Sequence, residues 1–343
     1  MTHRPIRVGF FLRHQRSGFH SIEKVFQTVA EHMSDDIEII RFTTPYPSKG
    51  IVNRLKAIFW ARRAFHDEKI EVAHILGDEH FLCFGLPRKK TVLTIHDLNV
   101  IDAASGLRKR ALALLWAILP VYWCQIITTI SRKSAQQIMN IAQNNGAKIV
   151  VIENPLPVQM RVPKEDRLSN TILQIGTKEN KNIERLISAV KGLDVRLAIV
   201  GPLSTAQKDL LASNGVTYEN HVDISDAQLE ALYEKCGLVS FVSLNEGFGM
   251  PIIEGQAASR PVIVSDRSPM REVAGEGVVL ADPLNVDSIR LGIERLLSDK
   301  TLRAQTIANG RQNVARYDPP TIAHQYADIY RSLLGEERQK TGF

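Results

Sequence analysis

Short apolar runs alternate with amphipathic stretches along almost the whole chain. In the first half, continuous apolar or β-branched runs predict strands at Arg7–Leu12, Glu38–Phe42, Val72–Leu76, Thr91–His96, Gln125–Ile130 and Lys148–Ile152. Between them, helical spacing of apolar residues covers Ser21–Met33, Val52–His66, Leu107–Leu119 and Lys133–Asn144. The second half repeats the scheme, with strands at Thr171–Ile175, Arg196–Val200, Leu238–Val242 and Pro261–Val264. Its helices are Asn182–Leu193, Asp226–Cys236, Pro251–Ala258, Asp287–Ser298 and Leu302–Tyr317. Strands apolar on both sides need helices on both sides, so the alternation predicts parallel, doubly wound α/β sheets. The run Asn154-Pro155-Leu156-Pro157 through Asp166, with its prolines and charges, marks the seam between two such domains.

Composition fits this picture. The chain has 343 residues, 44% hydrophobic and 23% charged, which excludes disordered, collagenous and disulfide-scaffold classes and favours two domains. Its net charge of +6 does not demand a nucleic-acid partner, and none is expected. Cys83, Cys124 and Cys236 are few, scattered and odd in number, which suits a reducing compartment. With no secretory leader pattern after Met1, a cytoplasmic location is expected. Ala111–Ile130 carries no formal charge over 20 residues, but Pro120 splits it and Gln125–Ile130 is strand-like. A buried helix followed by a buried strand is expected there, with no transmembrane span.

In parallel sheets, ligands bind beyond the carboxyl ends of strands, so the post-strand loops hold the candidate chemistry. The richest loop runs Ser243-Leu244-Asn245-Glu246-Gly247-Phe248-Gly249-Met250-Pro251-Ile252-Ile253-Glu254. Gly247 and Gly249 permit a tight path, and Pro251 suits the first turn of a helix. The amides of that turn and the helix dipole favour an anion such as a diphosphate. Carboxylates beside a phosphate repel it unless they address hydroxyls, so Glu246 and Glu254 suggest a sugar and a ribose. A second loop, Gly176-Thr177-Lys178-Glu179-Asn180-Lys181-Asn182, places Lys181 before a helix expected to be capped by Asn182. By contrast, His74, Asp78, Glu79 and His80 match no standard metal spacing, and no metal is expected.

The eight-residue separation of Glu246 and Glu254 resembles the Glu-x7-Glu signature of the GT-B retaining glycosyltransferases. The core Glu-Gly-Phe-Gly-Met-Pro-Ile-Ile-Glu is similar to glycosyltransferase family 4. Other resemblances are Ile172–Gly176 with Lys181-Asn182, Leu229–Tyr233 before the strand at Leu238, Pro261–Asp266 with Glu272-Val273, Thr94–Leu98, and Thr129–Ser131. They span nearly the whole chain. Where the family often carries an arginine after the glycine, this chain has Thr177, followed by Lys178.

The resemblance implies a GT-B fold: two Rossmann-like domains facing an interdomain cleft. Residues 1–160 would be the acceptor-binding domain and 161–320 the donor domain, with 321–343 crossing back as a terminal helix. It also implies a nucleotide-sugar donor, a glycan or lipid-linked acceptor, retention at the anomeric carbon, and no cofactor or metal. Glu254 would then hold the ribose and Glu246 the sugar hydroxyls. Backbone groups of Phe248, Gly249, Met250 and Pro251 would meet the sugar and β-phosphate. Gly176, Lys178 and Lys181 would line the diphosphate. His96 would face the sugar, and Gly18 would lie in the loop nearing the donor phosphate. A bacterial surface-polysaccharide role follows by analogy. An epimerase or hydrolase on the same fold, and an inactive nucleotide-sugar-binding or membrane-binding relative, remain alternatives. The helix Val52–Phe65, with Leu55, Ile58, Phe59 and Phe65 on one face and Lys56, Trp60 and Arg63 elsewhere, suggests peripheral contact with the inner face of a membrane.

Overall fold

The computed structural model describes residues 4–14, 21–98, 101, 105–142, 148–156, 160, 162 and 169–340. It divides into two compact units, residues 1–157 with 319–343 and residues 158–318. Each is built on a six-stranded sheet whose paired strands all run parallel.

The first sheet comprises β1 (Ile6–Leu12), β2 (Ile37–Thr43), β3 (Val72–Ile75), β4 (Thr91–Ile95), β5 (Ile126–Thr129) and β6 (Lys148–Val151). Its spatial order is β2-β1-β3-β4-β5-β6. The central strands β3, β4 and β5 are buried at every residue, as expected for strands covered on both faces. One face packs on the helix Ser21–Glu31 and on the terminal helix Pro319–Lys340, through Phe10, Phe26, Tyr326 and Tyr330. Inside this aromatic cluster His74 bonds the Tyr330 hydroxyl at 2.8 Å and Thr94 at 2.6 Å. Burial drives its pKa down to about 3, so it packs as a neutral ring. Arg331 adds hydrogen bonds of 2.8–2.9 Å to Asp36 and Ser34, holding the terminal helix to the first unit.

The second sheet comprises β7 (Thr171–Ile175), β8 (Arg196–Val200), β9 (Thr217–His221), β10 (Leu238–Phe241), β11 (Val262–Ser265) and β12 (Val279–Ala281). Its order is β12-β11-β10-β7-β8-β9. The chain moves outward from β7 through β8 to β9, then returns to the other side of β7 as β10. The strand order therefore reverses between β7 and β10, and between β1 and β3 in the first sheet. These are the crevices where doubly wound sheets take ligands.

Three local expectations need correction. The helical run does not stop at Leu119: a helix at Gly106–Ala113 passes through a π turn at Leu114–Ile118 into Leu119–Trp123. Pro120 has no N–H for the Trp116 carbonyl four residues back, and the wider turn absorbs the mismatch. Asn182 does not cap its helix by side chain: its backbone is left-handed, with φ 58°. Its amide nitrogen instead donates to the carbonyls of Val242 (2.9 Å) and Pro283 (2.7 Å), tying together the loops after β7, β10 and β12. Trp60 is half-buried and packs edge-on to Phe11, leaving Ile51, Val52, Leu55 and Phe59 as the exposed apolar residues of that helix.

Candidate functional site

The loops after β7 and β10 meet at the second unit's strand-order reversal. Gly176 ends β7 with φ 88°, and a Cβ there would lie 3.0 Å from the Lys181 side chain. Only glycine combines that backbone with that closeness. The chain then makes a single 3₁₀ turn, Glu179–Lys181, which aims Lys181 at the neighbouring loop. Its Nζ donates to Glu246 Oε1 at 2.7 Å and lies 5.0 Å from the Phe241 ring centroid. Asn180 donates to the same carboxylate oxygen at 3.2 Å and to the Asn245 carbonyl at 3.1 Å, while the Leu244 N–H donates to the Asn180 carbonyl at 2.7 Å. The cation and the first carboxylate are therefore one unit, with side chains only 20% and 15% exposed.

The second carboxylate is held differently. Gly249, at φ 126°, precedes the helix Met250–Ala257, and Pro251 occupies its first turn. A Cβ on Gly249 would come within 2.8 Å of Ile252 Cδ1, and the backbone angle itself demands glycine. The Ile252 N–H is taken by the Gly249 carbonyl, and Pro251 has none, so helix geometry leaves the Gly249 and Met250 amides for a ligand. Phe248 is buried and packs its ring edge-on to Tyr317, 5.8 Å between centroids. One turn into the helix, Glu254 Oε2 accepts a 2.6 Å hydrogen bond from the hydroxyl of the fully buried Tyr233. Burial first, and the adjacent carboxylate second, push the Tyr233 pKa well above its ordinary value, so the phenol remains a donor.

Thr177 is turned away from this site, donating to the Pro202 carbonyl at 2.6 Å, whereas Lys178 is exposed. Gly18 lies outside the described residues.

His96 belongs to the first unit, directly after β4. It lines a cavity of about 320 Å³ with Arg13, Asp78, His80, Asp97 and Trp116, at the strand-order reversal beside β1 and β3. Its Nε2 is buried, with no hydrogen-bond partner among the described residues. Burial, with smaller repulsions from His80 and Arg13, lowers its pKa to about 3, so at neutral pH it is a hydrogen-bonding group and not a cation. His80 donates from Nδ1 to the Trp116 carbonyl at 2.5 Å. Among the described residues, no group of three or more His, Cys, Asp or Glu side chains could hold a metal ion.

Asn180, Tyr233 and His80 escape the sequence reading as site residues. Tyr233 leaves a signal, since a phenol on the apolar side of a helix needs a polar partner.

Residues 158–313 match the family described as glycosyl transferases group 1. The chain is 27% identical over 222 residues to an MMP alpha-(1->4)-mannosyltransferase of Mycolicibacterium hassiacum, covering 61% of this chain and 54% of that protein. It thus spans about half the length of that relative. It is 29% identical over 302 residues to the O-antigen chain mannosyltransferase B of Escherichia coli, covering 80% and 77% of the two chains. Among solved structures, Anabaena HepE in complex with UDP and glucose superposes with a TM-score of 0.74 at 16% identity, covering 95% of this chain and 100% of that one.

Proposed function

We propose that this chain, whose residues 158–313 belong to the glycosyl transferases group 1 and whose two-unit α/β fold is GT-B, moves a sugar from a nucleotide-sugar donor to a glycan or lipid-linked acceptor. The observation that carries this reading is the loop pair at the second strand-order reversal. There the Lys181–Glu246 pair, the Gly249 helix start and the Tyr233-held Glu254 lie on two neighbouring loops. The UDP and glucose in Anabaena HepE and the mannosyltransferase names of the sequence relatives favour a nucleotide-diphosphate hexose as donor.

In this reading Glu254 accepts from the ribose hydroxyls. The Gly249 and Met250 amides and Lys181 hold the diphosphate. Entry of the diphosphate draws Lys181 from Glu246, freeing that carboxylate for sugar hydroxyls. As the glycosidic bond breaks, charge grows on the leaving diphosphate, where Lys181 and the helix N-terminus stabilise it more than in the ground state. Neutral His96 offers Nε2 to a sugar hydroxyl in the first unit's cavity without titrating near neutrality. Transfer proceeds with retention, the leaving diphosphate acting as base, and requires no metal. Peripheral contact with a membrane belongs to the same reading, because a lipid-linked acceptor is presented there, as does a role in surface polysaccharide synthesis. Incubation with a nucleotide-sugar panel and a saccharide acceptor, followed by NMR of the product anomer, tests the reaction. Inversion, or loss of donor to water alone, contradicts it.

A further inference from the structure

The loops after β3 and β4 place acids where the neighbouring sequence is basic. Residues 80–96 hold Arg88, Lys89 and Lys90 and no acid, yet Asp78 and Glu79 directly precede that stretch and Asp97 directly follows it. Asp78 and Asp97 both line the cavity of about 320 Å³ at the carboxyl ends of these strands. Among the described residues around it, Arg13 is the one Lys or Arg. Its guanidinium is already engaged. It donates from Nε and Nη2 to the two oxygens of Glu23, at 2.8 and 3.1 Å, and lies 3.8 Å from Asp78. With its side chain only 8% exposed, it has little freedom to turn towards a ligand.

The two histidines of the cavity add no positive charge, because burial lowers the pKa of His80 and takes that of His96 down to about 3. His80 spends its Nδ1 on the Trp116 carbonyl. His96 Nε2 lines the cavity with no hydrogen-bond partner among the described residues, and a ligand hydroxyl would satisfy it. Trp116 is fixed by its own Nε1, which donates to the Asp78 carbonyl at 2.9 Å, and Ile22, Leu98 and Ile101 complete an apolar wall. Carboxylates and a neutral imidazole facing an apolar wall match a sugar ring, whose hydroxyls donate to the acids while its C–H faces meet the wall. The volume is at the small end of ligand cavities, roughly 300–1,000 Å³, so it suits one terminal unit rather than a long chain. A uronic acid or a phosphate would set its charge against Asp78 and Asp97 with Arg13 held by Glu23, and like charges brought together are disfavoured.

We propose that this cavity seats the terminal sugar of the acceptor and selects against acidic sugars, with Asp78 and Asp97 as the specificity-determining residues. This deepens the glycan-acceptor reading and rests on it for assigning the cavity to the acceptor. The probes are methyl β-glucoside, methyl β-glucosaminide and methyl β-glucuronide, which carry only hydroxyls, an amine and a carboxylate on one ring scaffold. Saturation-transfer NMR on the full chain measures their dissociation constants without turnover. The glucoside and glucosaminide should bind, and the glucuronide at least about tenfold more weakly. Asp78→Asn/Asp97→Asn should bring the glucuronide to within about threefold of the glucoside. Asp97→Asn alone, at an exposed residue, should narrow the gap in the same direction with the parent melting temperature retained. A glucuronide that binds the parent as tightly as the glucoside, no binding of any of the three, or an unchanged preference in both variants would each overturn the proposal. Nucleotide thermal shifts on the same samples report separately on the glycosyltransferase reading, so a shift with nucleotide but no sugar binding would sink this proposal alone.

Discussion

Tyr233→Phe removes one atom and tests how Glu254 is held. The lost bond is a 2.6 Å charge-assisted contact from a fully buried hydroxyl to a carboxylate that is itself partly buried. Bonds to charged groups contribute about 1.5–3 kcal/mol, so Glu254 loses a fixing contact on that scale. If the ribose is recognised by a preset Glu254, nucleoside diphosphate affinity should fall by roughly tenfold to a hundredfold, the fold-change that corresponds to such a contact. The chemical step, which develops charge at the diphosphate, should slow by less, so KM rises more than kcat falls. Calorimetric titration of the tightest-binding nucleoside diphosphate measures the first, and steady-state kinetics the second. An affinity within twofold of the parent, with only a lowered melting temperature, would refute the reasoning and leave Tyr233 a packing residue.

Lys181→Ala should lower kcat/KM by about 10²–10³, the scale of one preorganised charge-stabilising contact, and an unchanged rate would remove Lys181 from catalysis. Gly249→Ala forces an L-residue to φ 126° and a Cβ to within 2.8 Å of Ile252 Cδ1, so urea denaturation should show a loss of about 1–3 kcal/mol; an unchanged midpoint would contradict the strain. His74 has a folded pKa of about 3, below the ordinary unfolded value of 6.5. The unfolded chain therefore binds the extra proton between these limits, and stability fully present above pH 6.5 is lost as pH falls towards 3. At pH 5 this costs about 2 kcal/mol, so His74→Gln should flatten the acid limb of stability against pH, and an identical slope would count against it.

The interior strands were legible because a strand covered on both faces must be apolar throughout, as in β4, β5, β10 and β11. Two edge strands were not. β9 reads Thr-Tyr-Glu-Asn-His, is exposed at four of its five positions, and exists because β8 offers it a ladder. β12 is three residues long, too short to display a period. The Glu246 and Glu254 loop stood out through its glycines and carboxylates. What holds each carboxylate did not: Asn180 and Lys181 reach Glu246 from 66 and 65 residues away, and Tyr233 reaches Glu254 from another helix. The Pro120 break was visible, but the bond from His80, 36 residues earlier, to the Trp116 carbonyl was not.

In the proposed function Glu246, Glu254 and Lys181, carried by two neighbouring post-strand segments, grip a nucleoside diphosphate. Thermal shift of the parent chain and Glu254→Gln against a panel of nucleoside diphosphates and their sugars tests it most directly, because a ligand that binds only the folded state raises its stability. At least one nucleotide should raise the parent melting temperature, and Glu254→Gln should abolish the rise. A panel without effect on the parent, or an equal rise in the variant, would contradict it.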